Sequence, residues 1–197
     1  MSDGSGAYRI MPRPALSDGA LKIRAVEPED IEAIRQWRNA QMDVLRQSAP
    51  ISRAEQIAYY ARSIWPDKPA FRPRNLLLTY LLEDRPIGYG GLVHLNWEHR
   101  RGELSFLLDP ELEHDLDLRT RLWAGFISLI KVFAFVDLGL NRITTETYVF
   151  RDRHIQTLEQ GGFSSEGRLR EHVWIDGKPM DCLVHGCLAR EFGDAGR

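Results

Sequence analysis

The sequence predicts an α/β fold, with one mixed, largely antiparallel sheet of about seven strands flanked by about four helices. Three observations carry this prediction. Strand-like runs at 75–82, 86–95 and 102–108 follow one another through short connections, as an antiparallel meander does. Helical and strand-like segments then alternate from 119 to 160, which demands helices packed on a mixed sheet. Asp176-Gly177 between alternating runs at 168–175 and 180–189 is a strong signal for a closing hairpin.

Each element has a local reason. Leu21 to Ala25 alternates apolar and polar residues as a short strand. Pro28 sits where helices begin, with Glu27, Glu29 and Asp30 around the positive end of the dipole, and Ile31, Ile34 and Trp37 form an apolar stripe. A loop around Arg46 to Pro50 follows. Ser52 with Glu55 three residues on is a capping box opening a second helix, which Pro66 stops. The polar turn Glu83-Asp84-Arg85 joins the first two runs of the meander. From Arg119 to Asp137 the pattern is helical around the apolar run Leu122 to Val136, and Gly139 fits a C-cap. Asn141 to Tyr148 is a β-branched strand and Asp152 to Gln160 a helix.

Composition bounds the class of protein. With 197 residues and 43% apolar content, one domain with one core is expected, over residues 21–192. Residues 1–20, rich in Gly, Ser, Pro and Asp, read as a flexible arm without the apolar run of a signal peptide, and 193–197 as a tail. A balance of 26 basic against 28 acidic residues gives no basic excess for a nucleic-acid partner. The apolar run at 122–136 contains Lys131 and is too short for a membrane span. Cys182 and Cys187 lie an odd number of positions apart on one predicted strand, hence on opposite faces. They form no ready bridge, and a reducing cytoplasm is the expected compartment.

The stretch LGLNRITTETYVFRDRHIQTLEQGGFSSEG, Leu138 to Gly167, resembles the second half of the GNAT N-acetyltransferase fold, in which an LGLxRI strand precedes a helix ending in LExxGF. The element order matches that family from about residue 21 to 192. IRQWRNAQ, LRQSAPIS, GYGGLVHLNWEHRRGELSFLL and EGRLREHVWIDGKPMD look like the branch that holds ribosomal-protein and aminosugar N-acetyltransferases. The resemblance implies acetyl transfer from acetyl-CoA to a primary amine of a small molecule, by direct attack with general-base help. An amino sugar, nucleotide-linked in some relatives, is the leading acceptor. A protein N-terminus, a polyamine or an antibiotic is an alternative, as is a catalytically silent module that no longer binds coenzyme A.

Amine acetylation needs a neutral nucleophile, a proton acceptor and donors aimed at the developing oxyanion, and it requires no metal. Glu103, Ser105 and Leu107 share one face of their strand, and Glu103 aligns with the glutamate of AEIGYWL-type strands in related enzymes. It is the first candidate for the base, against a structural role paired with Arg100 or Arg101. His94 is the second candidate. The tyrosine that many GNAT enzymes use as general acid falls at Leu158 here, which leaves Tyr148, a water, or no acid.

The resemblance implies a cofactor site as well. The family's glycine-rich pyrophosphate loop is replaced by ELEHDLDLRTRLW, acidic and without glycine. In one reading Arg119, Thr120 and Arg121 supply the donors together with the helix amides; in the other, coenzyme A is not bound. Coenzyme A in this fold lies in a V between the strands at 102–108 and 141–148, with backbone pairing expected from Phe106, Leu107 and Leu108. Arg151 or His154 stands in for the asparagine that relatives carry near the late helix. On the acceptor side, Trp37-Arg38-Asn39 resembles the opening helix of enzymes acting on nucleotide-linked 4-amino sugars. Arg46 is a candidate phosphate holder, and Tyr89 offers a stacking face alongside Tyr59, Tyr60, Trp65 and Trp97. Pairing of edge strands in a homodimer is a further expectation.

Overall fold

The computed structural model describes residues 4–45, 47–175 and 177–194, and Arg46 and Asp176 therefore lie outside the described residues. Eight strands form one sheet: β1 (Ala15–Asp18), β2 (Leu21–Ala25), β3 (Leu76–Leu82), β4 (Arg85–Asn96), β5 (Arg101–Leu108), β6 (Arg142–Tyr148), β7 (Ser164–Ile175) and β8 (Lys178–Leu188). Their spatial order is β1-β2-β3-β4-β5-β6-β8-β7, and β5–β6 is the parallel pair. The helices are α1 (Ile31–Ala40), α2 (Arg53–Tyr59, continued as a π-turn to Ile64), α3 (Leu116–Lys131, continued to Asp137), α4 (Asp152–Gln160) and a short α5 (Ala189–Asp194).

The α/β class and mixed sheet are as the sequence predicts, with one strand more than expected. The extra strand comes from the segment read as a flexible arm. Ala15–Asp18 pairs antiparallel with β2 across a turn at Gly19, whose φ is +57°. Ahead of it Tyr8 is buried and its hydroxyl accepts the Leu77 N–H at 3.0 Å, while Lys68 donates to the Gly6 carbonyl at 2.6 Å. A Gly- and Pro-rich composition hid these anchors, because one aromatic and one backbone-seeking lysine suffice to hold such a segment.

Each face of the sheet has its own core. Phe126, Ile130 and Phe133 of α3 pack with Leu76, Leu78, Tyr80 and Leu108. On the other face Ile34 and Trp37 of α1 meet Tyr60, Ile64, Leu77, Tyr89 and Leu107. Ser52 closes the expected capping box, accepting the Glu55 N–H at 3.2 Å while the Glu55 carboxylate accepts the Ser52 N–H at 2.8 Å. Cys182 and Cys187 are both buried and unbridged.

Two features of the sheet place the site. A Cβ at Gly90 would stand 2.2 Å from the Ser105 carbonyl, so glycine is what lets β4 and β5 approach so closely there. On its other side β5 pairs with β6 only from Arg101 to Glu103, opposite Arg142 to Thr144. Beyond that point the two strands diverge.

Candidate active site

The divergence leaves a cavity of about 250 Å³ between β5 and β6. Register decides what it presents. Asp109 donates to the Ile87 carbonyl, so the odd residues of β5 turn their main-chain groups toward β4 and the even ones turn theirs toward the opening. Past the last bridge to β6, the N–H and C=O of Phe106 and the N–H of Leu108 therefore face the V. The Leu107 amide does not, since it points to β4 opposite Tyr89. The Leu108 carbonyl also faces the opening, but it already accepts from the Gln41 side chain at 2.8 Å. Of the three residues expected to carry the backbone pairing, Phe106 is the one with both groups available.

Glu103 stands at the apex of the V and lines the cavity, half-buried and without an ion-pair partner among the described residues. Arg100, one of its suggested partners, instead donates twice to the Gly139 carbonyl, at 2.6 and 2.8 Å. His94 lies on the rim. It is exposed, with φ +51°, in an irregularity where the β4–β5 register slips between Val93 and Asn96. Tyr148, at the far end of β6, is buried and lines the same cavity.

The other end of the cleft is where the sequence expected a pyrophosphate. A neighbouring cavity of about 570 Å³ is lined by Gln41, Glu113, Arg119, Arg151 and His154 among others. Several donors near it are already engaged. Asp115 caps α3, its carboxylate accepting the N–H groups of Asp117 and Leu118 at 3.1 and 3.0 Å. The first-turn amides expected to point at phosphate thus hold a carboxylate of the chain itself. Glu113 pairs with Arg119 at 2.7 Å and accepts from the Trp123 indole at 3.3 Å. The Thr120 hydroxyl donates to the Leu116 carbonyl, and Arg121 is exposed outside both cavities.

Arg151 and His154, at the start of α4, do line both cavities. Burial pulls the Arg151 guanidinium down from its ordinary value, with the Glu113 charge pulling it back, and its cation sits 5.9 Å from the Trp123 ring. Burial first, then the charges of Arg151, Arg119 and His185, push His154 well below 6.5, so its imidazole is neutral at pH 7. Its Nδ1 is buried without a hydrogen-bond partner among the described residues.

On the α1–α2 side a third cavity, about 670 Å³, meets the first at Arg38, Val93 and Ser105. Arg38 donates to the Tyr89 hydroxyl at 2.7 Å and to Gln47 at 3.1 Å. The walls include Tyr59, Tyr60, Arg62 and Glu55, and the Tyr60 hydroxyl is buried without a partner among the described residues. The neighbours of Arg38 in sequence do not reach this space. Trp37 is core, and Asn39 holds the α1–α2 loop, donating to the Ile51 carbonyl and accepting the Ile51 N–H and the Gln47 amide. Trp65 is also core, and Trp97 donates to the Pro73 carbonyl.

Sequence reasoning missed Glu146. In the parallel pair Glu103 lies opposite Thr144, so Thr144, Glu146 and Tyr148 of β6 share the face of Glu103 and Ser105. The period-two pattern was visible, but the face it points to follows only from the β5–β6 register. Gln41 and Trp123, remote in sequence from the strands they serve, had no local signal.

A sheet splayed between two parallel strands, with free main-chain groups on one edge and a carboxylate at the apex, suits a transferase that takes an extended donor along the strand edge. The family model "Acetyltransferase (GNAT) domain" matches residues 23–184, and the chain belongs to that family, whose donor is acetyl-CoA. The putative ribosomal N-acetyltransferase YdaF of Bacillus subtilis is 25% identical over 175 residues, 87% of this chain and 93% of its own length. The uncharacterized N-acetyltransferase YoaA of the same organism is 30% identical over 102 residues, covering 52% of this chain and 55% of its own length. A spermidine N(1)-acetyltransferase of Vibrio cholerae is 27% identical over 110 residues, 54% of this chain and 61% of that protein. The aligned stretch therefore spans only a little over half of YoaA and of the spermidine enzyme. A crystal structure of spermidine N-acetyltransferase from Vibrio cholerae with CoA and spermine superposes with a TM-score of 0.76 at 21% identity, covering 89% of this chain and 99% of the other. Among the described residues no helix is long and apolar enough to cross a membrane, and no group of three or more His, Cys, Asp or Glu could hold a metal ion.

Proposed function

We propose that the protein acetylates the primary amine of a small molecule that also carries an anionic or hydroxyl-rich group, an amino sugar phosphate or nucleotide-linked amino sugar being the best fit. The single observation that carries this reading is the junction of the two cavities, where Arg38 and Ser105 line both, within the same cleft as Glu103. A guanidinium and two tyrosines along the acceptor route suit phosphate and sugar hydroxyls and disfavour a polycation such as spermidine.

Acetyl-CoA supplies the thioester carbonyl carbon. The residues present fit it: the Phe106 N–H and C=O offer pairing along the V, and Arg119, Arg151 and His154 stand at its wide end. Glu103 takes the proton of the attacking amine, directly or through water. The Phe106 N–H faces the space in which negative charge develops on oxygen. Tyr148, two residues beyond Glu146 on the same face, is the phenol placed to return a proton to sulfur, with His94 as a second proton acceptor at the rim.

One observation favours the rival reading of a silent module: Glu113 and Asp115 occupy the donors that a pyrophosphate would use. Calorimetric titration with acetyl-CoA decides between them. Micromolar, salt-sensitive binding is expected, and no binding overturns the enzyme reading. Thiol release is then followed with glucosamine 6-phosphate, a uridine-diphosphate-linked 4-amino sugar, spermidine and a peptide N-terminus. The phosphorylated sugars are expected to lead, and Arg38→Gln to raise their KM about tenfold, a loss typical of a charge-assisted hydrogen bond. Preferential turnover of spermidine would refute the assignment of Arg38.

A further inference from the structure

β6 brings a second carboxylate to the point where β5 and β6 part, and the C-terminal hairpin brings a histidine to it. Glu146 lines the same cavity as Glu103 and lies on the same face of the sheet, two residues past Thr144, the partner of Glu103 in the last bridge. Its Oε1 is 3.1 Å from Nε2 of His172.

That contact has to be built, because β8 lies between β6 and β7 and a regular ladder would hold His172 a strand too far away. An irregularity in β7 does it. Between the pairs Leu169↔Cys182 and Val173↔Met180, three residues (Arg170, Glu171 and His172) oppose the single Asp181. Glu171 takes φ +50°, and its N–H is held by the Asp181 carboxylate at 2.7 Å, which Arg168 also grips. A bulge with a left-handed residue reverses the local side-chain direction, and here it turns His172 back toward β6. The side chain of Glu146 is 17% exposed and that of His172 41%, so the carboxylate sits inside the cleft while the imidazole reaches solvent.

We propose that Glu146 is a catalytic residue that holds the acceptor ammonium at the apex of the V, and that His172 is a positioning residue that fixes its carboxylate. The idea rests on the acetyltransfer reading above. The ammonium group hydrogen-bonds to Glu146 and gives one proton to Glu103. The neutral amine then forms the C–N bond as the C–S bond breaks; its second proton leaves the nitrogen and one proton is taken up by sulfur. Two carboxylates, one to hold and one to deprotonate, separate binding from chemistry.

The test uses the full chain and the four acceptors named above. Glu146→Gln is expected to raise the KM of the best acceptor about tenfold, with kcat and acetyl-CoA affinity changed less than threefold. Glu103→Gln lowers kcat instead. His172→Gln is expected to shift KM in the same direction as Glu146→Gln by a smaller factor, and His172→Asn, which cannot reach the carboxylate, to match Glu146→Gln. Acceptor kinetics within twofold of wild type in Glu146→Gln overturn the proposal. If wild type binds acetyl-CoA but turns over none of the acceptors, the acceptor assignment fails, and Glu146 is judged by the NMR signal of the His172 imidazole during titration with glucosamine 6-phosphate and with spermidine. Movement in wild type that is lost in Glu146→Gln supports the proposal; an unmoved signal overturns it.

Discussion

The wide end of the cleft offers the sharpest physical test. Glu113 lies 2.7 Å from Arg119, both side chains about one-fifth exposed, and is the first charge that offsets the burial of Arg151. In Glu113→Gln the Trp123 indole keeps an oxygen to donate to, but two guanidiniums lose their counter-charge. A partly exposed pair of this kind stabilises the fold by roughly 0.5–1 kcal/mol, so the melting temperature drops by only a few degrees. For a pyrophosphate the same change removes a competitor. About 1 kcal/mol of competition relieved is about a fivefold fall in the Kd for acetyl-CoA, with a steeper dependence on salt because an additional cation is free. Calorimetry at two ionic strengths reads both quantities. An unchanged Kd would show that the phosphates do not meet Arg119, and a weakened one would show that Glu113 orients that arginine rather than blocking it.

Two further outcomes follow from the geometry. Glu103→Gln keeps the shape of the apex and removes the proton acceptor, so kcat for the best acceptor is expected to fall on the order of 10²-fold with acetyl-CoA affinity intact; a rate within threefold of wild type assigns the proton to another group. His154 supplies a pH dependence of stability. Its folded value is held well below 6.5 by burial first and then by the neighbouring positive charges, so the unfolded chain binds the extra proton. The contribution is therefore full above about pH 6.5 and is lost as pH falls below it, with a slope approaching about 1.4 kcal/mol per pH unit. His154→Gln is expected to flatten the drop in melting temperature between pH 7 and pH 5.5, and an equal drop in both proteins would refute the reading.

Much of this fold was legible because its elements are locally consistent. The capping box at Ser52, the Gly139 turn, the β7–β8 turn with Gly177 and the helix Asp152–Gln160 rest on short-range rules, and the structure repeats the helix bounds without change. What failed was information carried by pairing. The backbone direction of Leu107, the cap on the Leu108 carbonyl and the arrival of His172 at Glu146 depend on register between strands distant in sequence. The acidic residues in ELEHDLDLRTRLW suggest a difficulty for phosphate, and their actual partners follow only from the fold. Asp115 serves the helix, and Glu113 serves the arginine. Trp37-Arg38-Asn39 shows the same limit at the scale of a triplet. Helical geometry sends the three side chains in different directions, so one becomes core, one faces the cleft and one ties down a loop.

The two ends of the cleft are built on opposite electrostatic terms, and that difference predicts where a perturbation is felt. At the apex Glu103 stands without a counter-ion among the described residues in a half-open space, and Glu146 contacts a histidine, so the groups proposed to handle an amine are in place before it arrives. At the wide end Arg119 is paired with Glu113, and an anionic ligand that takes up Arg119 must displace that carboxylate. The expected consequence is that substitutions in the acidic segment act on the KM for acetyl-CoA, substitutions on β5 and β6 act on the acceptor and on kcat, and the two sets combine additively because they lie at opposite ends of the V.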